Sequence, residues 1–133
     1  MAWRRFAALL LLMAFAGCAA DNGTSNDPPG GTFFTVRVVN DTFVMFVTDP
    51  ATIQLATENL QGKNNRFPSG RIQIGNGGFN GIWGWHYVPD SIRMVEASVE
   101  VCDGTPSYVN THLNDFLAVG YCPWAAKVIK VGR

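Results

Sequence analysis

The sequence predicts an α+β domain: a mainly antiparallel sheet of about five to six strands, with two helices packed on one face and one disulfide. Three observations carry this expectation. The β-rich runs cluster in groups instead of alternating one-for-one with helices. Two helical stretches each open on a capping residue followed by proline, Asp49-Pro50 and Thr105-Pro106. Finally, Cys102 and Cys122 remain as a pair once the N-terminal segment is accounted for.

The first element is Phe33 to Val39, in which Phe34, Val36 and Val38 alternate with Thr35 and Arg37. Asn40-Asp41 signals a turn, Thr42 to Val47 is a second β-rich run, and together they read as a hairpin. Proline after Asp49 keeps that residue out of the α region, and its own missing N–H costs nothing at the first helical position. Ile53, Ala56, Thr57 and Leu60 then share a helical face, and Gly62 stops the helix. Lys63 to Gly70 reads as a polar connection. Ile72 and Ile74 mark a short strand, broken by the glycine-rich stretch Gly75 to Gly81, and Trp83 to Val88 resumes extended structure until Pro89-Asp90.

Arg93 to Cys102 alternates most cleanly, with Val95, Ala97, Val99 and Val101 on one side and Glu96, Ser98 and Glu100 on the other. It is therefore expected to be a strand with one buried and one wet face. Asp103-Gly104 turns the chain into a second helix capped by Thr105, with Val109, Leu113, Phe116, Leu117 and Gly120 along its buried stripe. Lys127 to Val131 closes the sheet.

Ahead of this domain the chain has a different character. Met1-Ala2-Trp3-Arg4-Arg5 is a short basic start, followed by an apolar run from Phe6 to Gly17 that is too short to span a bilayer. Ala16-Gly17-Cys18 resembles the lipobox of bacterial lipoprotein signal peptides, which implies cleavage before Cys18 and acylation of that residue. A plain secretory cut after Ala16, Gly17 or Ala19 shares the same run and basic start; the position of Cys18 separates the two readings. Ala19 stands where aspartate would argue for inner-membrane retention, so the outer membrane is favoured in a two-membraned cell. Residues 19–31 contain no aliphatic side chain larger than alanine and read as a tether, with a root-mean-square reach of roughly 20 Å. The expected division is a signal peptide over 1–17, a lipidated cysteine and tether over 18–31, and one domain over 32–133.

Removing residues 1–17 leaves 116 of the 133 residues, enough for one domain with one core. From Thr32 onward eight basic side chains face eight acidic ones. With no basic field to hold phosphates, nucleic acid is not an expected partner. Four tryptophans and nine phenylalanines are ample core material for so short a chain.

With Cys18 lipidated, an even remainder of cysteines outside the cytoplasm reads as a Cys102–Cys122 disulfide. The loop so closed is worth roughly 3 kcal/mol in the chain-entropy model. Two cysteines without a second pair or a histidine cluster give zinc too few ligands, and no metal or cofactor is called for.

Catalytic motifs are absent from the sequence: there is no nucleophile elbow, phosphate loop or dinucleotide fingerprint. His86 and His112 lie on different elements without ligand-spaced partners, and His112 reads as a half-buried histidine with a hydrogen-bond partner. Glu96 and Glu100 would sit about 13 Å apart along a strand, too far to act as a pair. The richest segment is Phe79-Asn80-Gly81-Ile82-Trp83-Gly84-Trp85-His86-Tyr87, five aromatic or imidazole rings among glycines. Large amphipathic rings on such a loop suit binding of sugar, peptide or protein, with Asn80, Trp83 and His86 as candidate contacts. The competing reading makes alternate rings, such as Trp85 and Tyr87, plain core.

Five blocks, Phe46 to Ile53, Gly70 to Ile72, Trp85 to Ser91, Val99 to Gly104 and Tyr121 to Trp124, form an ordered series. That series resembles small secreted bacterial proteins labelled "calmodulin-binding protein", similar to the N-terminal domain of a slime-mould calmodulin-binding protein. The resemblance covers residues 33–131 and implies a domain but no catalytic residues. Neither helix carries Lys or Arg between residues 50 and 61 or between 105 and 118. Both therefore lack the basic face of a calmodulin target, and calmodulin is not an expected partner.

The sequence thus predicts a non-catalytic, lipid-anchored binding module facing the outside, tied to a membrane through Cys18 and presenting the 79–87 loop to a protein, peptide or sugar. A secreted protease inhibitor using the glycine-rich loop as its wedge is the alternative. A third is an enzyme assembled from distant residues such as His86, Asp90 and Glu96.

Overall fold

The computed structural model describes residues 29–133. The expected signal peptide, Cys18 and most of the tether lie outside the described residues. Seven strands and three helices follow in the order β1 (Thr32–Val38), β2 (Asp41–Val47), α1 (Pro50–Leu60), β3 (Phe67–Ser69), β4 (Ile72–Ile74), β5 (Trp85–Tyr87), β6 (Arg93–Val95), α2 (Pro106–Thr111), α3 (Leu113–Val119) and β7 (Ala126–Val131). The fold is α+β and all strand pairs are antiparallel. The strands do not form one sheet, however. They form a three-stranded sheet ordered β2-β1-β7 and two ribbons, β3-β6 and β4-β5.

β1 and β2 make the expected hairpin, with Val38 opposite Asp41 across a two-residue turn. Alternation sends Phe34, Val36 and Val38 of β1, with Phe43, Met45 and Val47 of β2, into the core. There they meet Trp85 and Tyr87 from β5, Val109 and Phe116 from the helices, and Tyr121. Phe43, Trp85, Tyr87 and Tyr121 pack ring against ring with centroids 5.1–6.0 Å apart. Trp85 and Tyr87 are thus core, as their alternation allowed.

Helix α1 begins where Asp49 and Pro50 place it. The Asp49 carboxylate accepts the Thr52 N–H at 2.9 Å and the Thr52 hydroxyl at 2.7 Å. Those two bonds hold its carboxyl below the usual carboxylate range. The most buried face is not the expected one: Thr52, Ala56 and Asn59 turn inward, with Ile53 and Leu60 at the margin. Asn59 explains the rotation. Its side-chain oxygen accepts the Val128 N–H of β7 at 2.9 Å, and its amide nitrogen donates to the carbonyls of Asn64 and Arg66. A fully paired buried amide couples α1 to the end strand more specifically than another leucine could.

Three other expectations are corrected. The run Arg93 to Cys102 is a strand only as far as Val95; beyond it Val99 and Val101 are 63% and 67% exposed, and Glu100–Cys102 is a 3-10 turn. Its partner β3 has three residues, so the ladder ends there and the remaining alternation has nothing to pair with. The supposed polar connection Lys63 to Gly70 contains β3, whose Phe67 and Pro68 are buried. Proline is tolerated because β3 pairs with β6 on one side only. The second helix is two helices, broken at His112 (φ −131°, ψ 36°). The break leaves Val109 and Phe116 buried but swings Leu117 outward. The helices are also spread over different partners: α1 packs on β6 and β7, α2 on β2, and α3 on β4.

The expected disulfide is present. Cys102 and Cys122 are bridged with their Cα atoms 5.1 Å apart, both buried with Phe67. The bridge fastens the segments flanking α2 and α3 to the β3-β6 ribbon.

Candidate functional site

The glycine-rich stretch is the loop of the β4-β5 hairpin, and its own hydrogen bonds fix its shape. Gly75 N–H donates to the Gly84 carbonyl at 2.8 Å, closing the base. Asn76 organises the tip: its carbonyl accepts the Asn80 N–H at 2.9 Å, its side-chain oxygen accepts the Gly78 N–H at 2.8 Å, and its amide donates to the Gly81 carbonyl at 3.1 Å. Gly77 adopts φ +67°, and a Cβ there would press into the His86 ring at 2.8 Å, so the position needs glycine twice over. From outside, Gly84 N–H is held by the Asn110 side chain of α2 at 2.7 Å.

Two further bonds tie this loop to the main sheet. β2 is paired on one side only, which leaves its other edge open. Asn80 accepts the Val44 N–H at 2.8 Å while donating to the buried Trp85 carbonyl at 2.7 Å. The Trp83 indole N–H donates to the Thr42 carbonyl at 2.8 Å. Side chains thus occupy alternate backbone groups that an incoming strand would otherwise use.

The three candidate contacts therefore divide. Asn80 is 1% exposed with both ends of its amide engaged by backbone, so it is an internal brace and not a ligand contact. His86 is half-buried; a carbonyl only accepts, so Nδ1 carries the proton and donates to Gly75 at 2.7 Å. Its ring lies edge-on to Phe79, which packs on Phe33 in turn. Trp83 is half-buried and reaches the surface as the wall of an open depression of about 420 Å³. Asn40 to Val44 form the opposite side, and Asn80 to Ile82 complete the lining.

Ile82 carries no mark in the sequence, yet it is 87% exposed at the loop tip, beside this depression. A lone aliphatic residue among glycines and aromatics gives no periodic signal; only the turn that carries it outward reveals it. On the other side, Asp41 is fixed by accepting the Ser107 N–H at 3.0 Å and the Ser107 hydroxyl at 2.6 Å. The neighbouring turn residue Val39 has φ +58°, a conformation that β-branched side chains rarely tolerate.

Other titratable groups are occupied elsewhere. Asp90 lies 4.0 Å from Arg71 and Glu96 pairs with Arg66 at 3.0 Å, so neither is joined to His86. His112 stacks on Tyr108 and its Nδ1 lies 2.9 Å from the Tyr108 carbonyl, matching its reading as a partnered histidine. Among the described residues no group of three His, Cys, Asp or Glu side chains could hold a metal ion. The Tyr87 phenol donates to the Tyr121 carbonyl at 2.9 Å, and the Tyr121 phenol to Gly104 at 2.8 Å. Burial pushes both phenols well above the ordinary tyrosine value.

Fold and site together define a small disulfide-stapled α+β domain that presents a braced loop beside an open depression. The chain belongs to the family defined by the N-terminal domain of a calmodulin-binding protein, whose model matches residues 31–133. No curated protein and no solved structure matches it.

Proposed function

We propose that this protein is a non-catalytic binding module of the cell envelope, anchored through a lipid on Cys18, with its binding surface formed by the β1-β2 turn and the β4-β5 loop. The observation that carries the reading is Ile82. A large apolar side chain stands almost fully exposed on a loop whose backbone is held by at least six hydrogen bonds. Presenting such a side chain to water offers the monomer no burial, whereas a braced loop loses little entropy on meeting a partner. The basic start, apolar run and Cys18 support the envelope address, with the outer membrane favoured by Ala19.

The test is retention of envelope-extract components by the immobilised full chain, compared with an Ile82→Asp variant. Ile82 is exposed enough for that change to leave the fold intact. Retention that Ile82→Asp abolishes supports the surface; equal retention by both proteins removes it. The anchor is tested separately: labelled palmitate should enter the protein in a bacterial host and fail to enter Cys18→Ala.

An inhibitor reading shares the same observation, since an exposed side chain on a rigid loop is what a protease cleft would receive. Stoichiometric titration against serine and cysteine proteases separates the two. Inhibition lost in Ile82→Asp would favour the inhibitor, and none at high excess would leave the binding module.

A further inference from the structure

We infer that the depression between Asn40–Val44 and Gly81–Trp83 is a binding site for a neutral saccharide; the inference rests on the binding-module reading and names its ligand class. Four features of the site lead there.

The first is volume and shape. About 420 Å³ falls within the range of small-molecule sites, and the depression is open, suiting one or two rings of a chain that continues into solvent. The second is the Trp83 wall. Its indole N–H is turned inward to the Thr42 carbonyl, so what the ring offers the depression is hydrocarbon surface. A sugar ring has an apolar C–H face of matching size, and packing it against a fixed indole removes both from water with no rotor left to freeze.

The third is the polar set opposite that wall. Asn40 brings a donor and an acceptor, Thr42 a hydroxyl that does both, and Asp41 a carboxylate with one oxygen held by Ser107. No side-chain bond within the described residues occupies the Asn40 amide or the Thr42 hydroxyl. Vicinal sugar hydroxyls donate and accept at once, which such a mixed set satisfies. The only charge in the lining is the negative one on Asp41, so a phosphorylated or uronic ligand meets repulsion without a cation to offset it.

The fourth feature argues against an extended peptide. Strand addition to β2 needs the outward groups of Thr42 and Val44, and Trp83 and Asn80 already hold the Thr42 carbonyl and the Val44 N–H. The rim is also strained at Val39, and strain of this kind concentrates where a backbone is held for a ligand.

The test titrates the full chain with maltotriose, cellotriose and chitotriose, followed by the backbone amide resonances. A tri-galacturonate and a library of extended heptapeptides run beside them. The expected result is that at least one neutral trisaccharide shifts amides within residues 40–44 and 80–84, while tri-galacturonate does not. Trp83→Ala should weaken that binding about tenfold or more, and Asn40→Ala about threefold to tenfold, as for one lost hydrogen bond. Asn40 is exposed and makes no structural bond, so its variant decides the matter if Trp83→Ala fails to fold.

No shift with any neutral trisaccharide at millimolar concentration overturns the saccharide, as does a response only to peptides or only to tri-galacturonate. If Ile82-dependent retention of an extract component persists in that case, the binding module survives and only its ligand class falls. If neither is seen, both fall.

Discussion

Asn80→Ala is the most revealing single change in the molecule. It removes a side chain that is 1% exposed and that spans the Val44 N–H of β2 and the buried Trp85 carbonyl of β5, at 2.8 and 2.7 Å. Alanine leaves both backbone groups without their partner, and an unpaired buried polar group costs about 1–3 kcal/mol. Because Val44 lies toward the sheet edge where water can reach it, a total near 3 kcal/mol is expected for the pair. With a urea slope of about 1.5 kcal/mol per molar, the unfolding midpoint should fall by about 2 M. Tryptophan fluorescence reads the transition.

A second consequence concerns self-association. With the brace gone the edge of β2 is uncovered, so the variant should associate with itself as its concentration rises, visible by sedimentation. Asn80→Asp supplies the control for chemistry. Its carboxylate still accepts from Val44 but sets oxygen against the Trp85 carbonyl, and only protonation restores a donor. The folded state therefore binds that proton more tightly than the unfolded chain does. The benefit is complete at low pH and is lost as pH rises, so this variant should become less stable toward neutrality. A midpoint shift under about 0.5 M for Asn80→Ala, with no self-association, would refute the account of this residue as a brace.

Three further outcomes follow from the structure. Val39→Gly should stabilise the protein by about 1 kcal/mol in urea unfolding, because relief of a left-handed valine exceeds the entropy cost of glycine; Val39 is 61% exposed, so little packing is lost, and a net loss of stability would show that its side chain has a partner. Burial raises the Tyr87 phenol, which also faces Tyr121, and raises the Tyr121 phenol, which also faces Asp103 and Asp41. The folded state thus favours their neutral forms, its stability is intact below the ordinary tyrosine value of about 10 and falls above it, and two of the three tyrosines should show tyrosinate absorbance only as the fold is lost. Replacing Cys102 and Cys122 together by alanine should cost roughly 3 kcal/mol, measured against the oxidised protein; equal midpoints for the two would show that the bridge does not constrain the unfolded chain.

Local chemistry was readable wherever a residue's role depended on its neighbours in sequence. The β1-β2 hairpin follows from alternation, and the start of α1 from Asp49-Pro50. Roles set by the whole fold were hidden. Val95 to Val101 alternates as a strand should, but β3 supplies too short an edge to pair with it. Pro68 disguises β3, because its tolerance depends on pairing from one side. Asn59 and Asn80 look like surface amides in one dimension, yet each is buried where several backbone groups converge. For the site, the aromatic loop was visible as a segment, while its division into brace, wall and exposed tip was not. Trp83 and Asn80 are three residues apart, and only the open edge of β2 gives both an inward task. Ile82, lacking any such task, is left facing water.

The position of β7 bears on when this chain can become folded at all. β1 lies between β2 and β7, so its second flank is completed by residues 126–131, and the Thr35 hydroxyl reaches the Gly132 carbonyl across 97 positions of sequence. The Arg133 guanidinium also sits 4.5 Å over the Phe33 ring. A growing chain can make the hairpin early but cannot seal its central strand until this late segment has emerged, and closure across such a span is slow. An N-terminal export signal would thus act on a chain that has not yet collapsed into an untransportable shape. The topology itself delays folding long enough for passage through a membrane pore, with no chaperone-binding motif needed to hold the domain open.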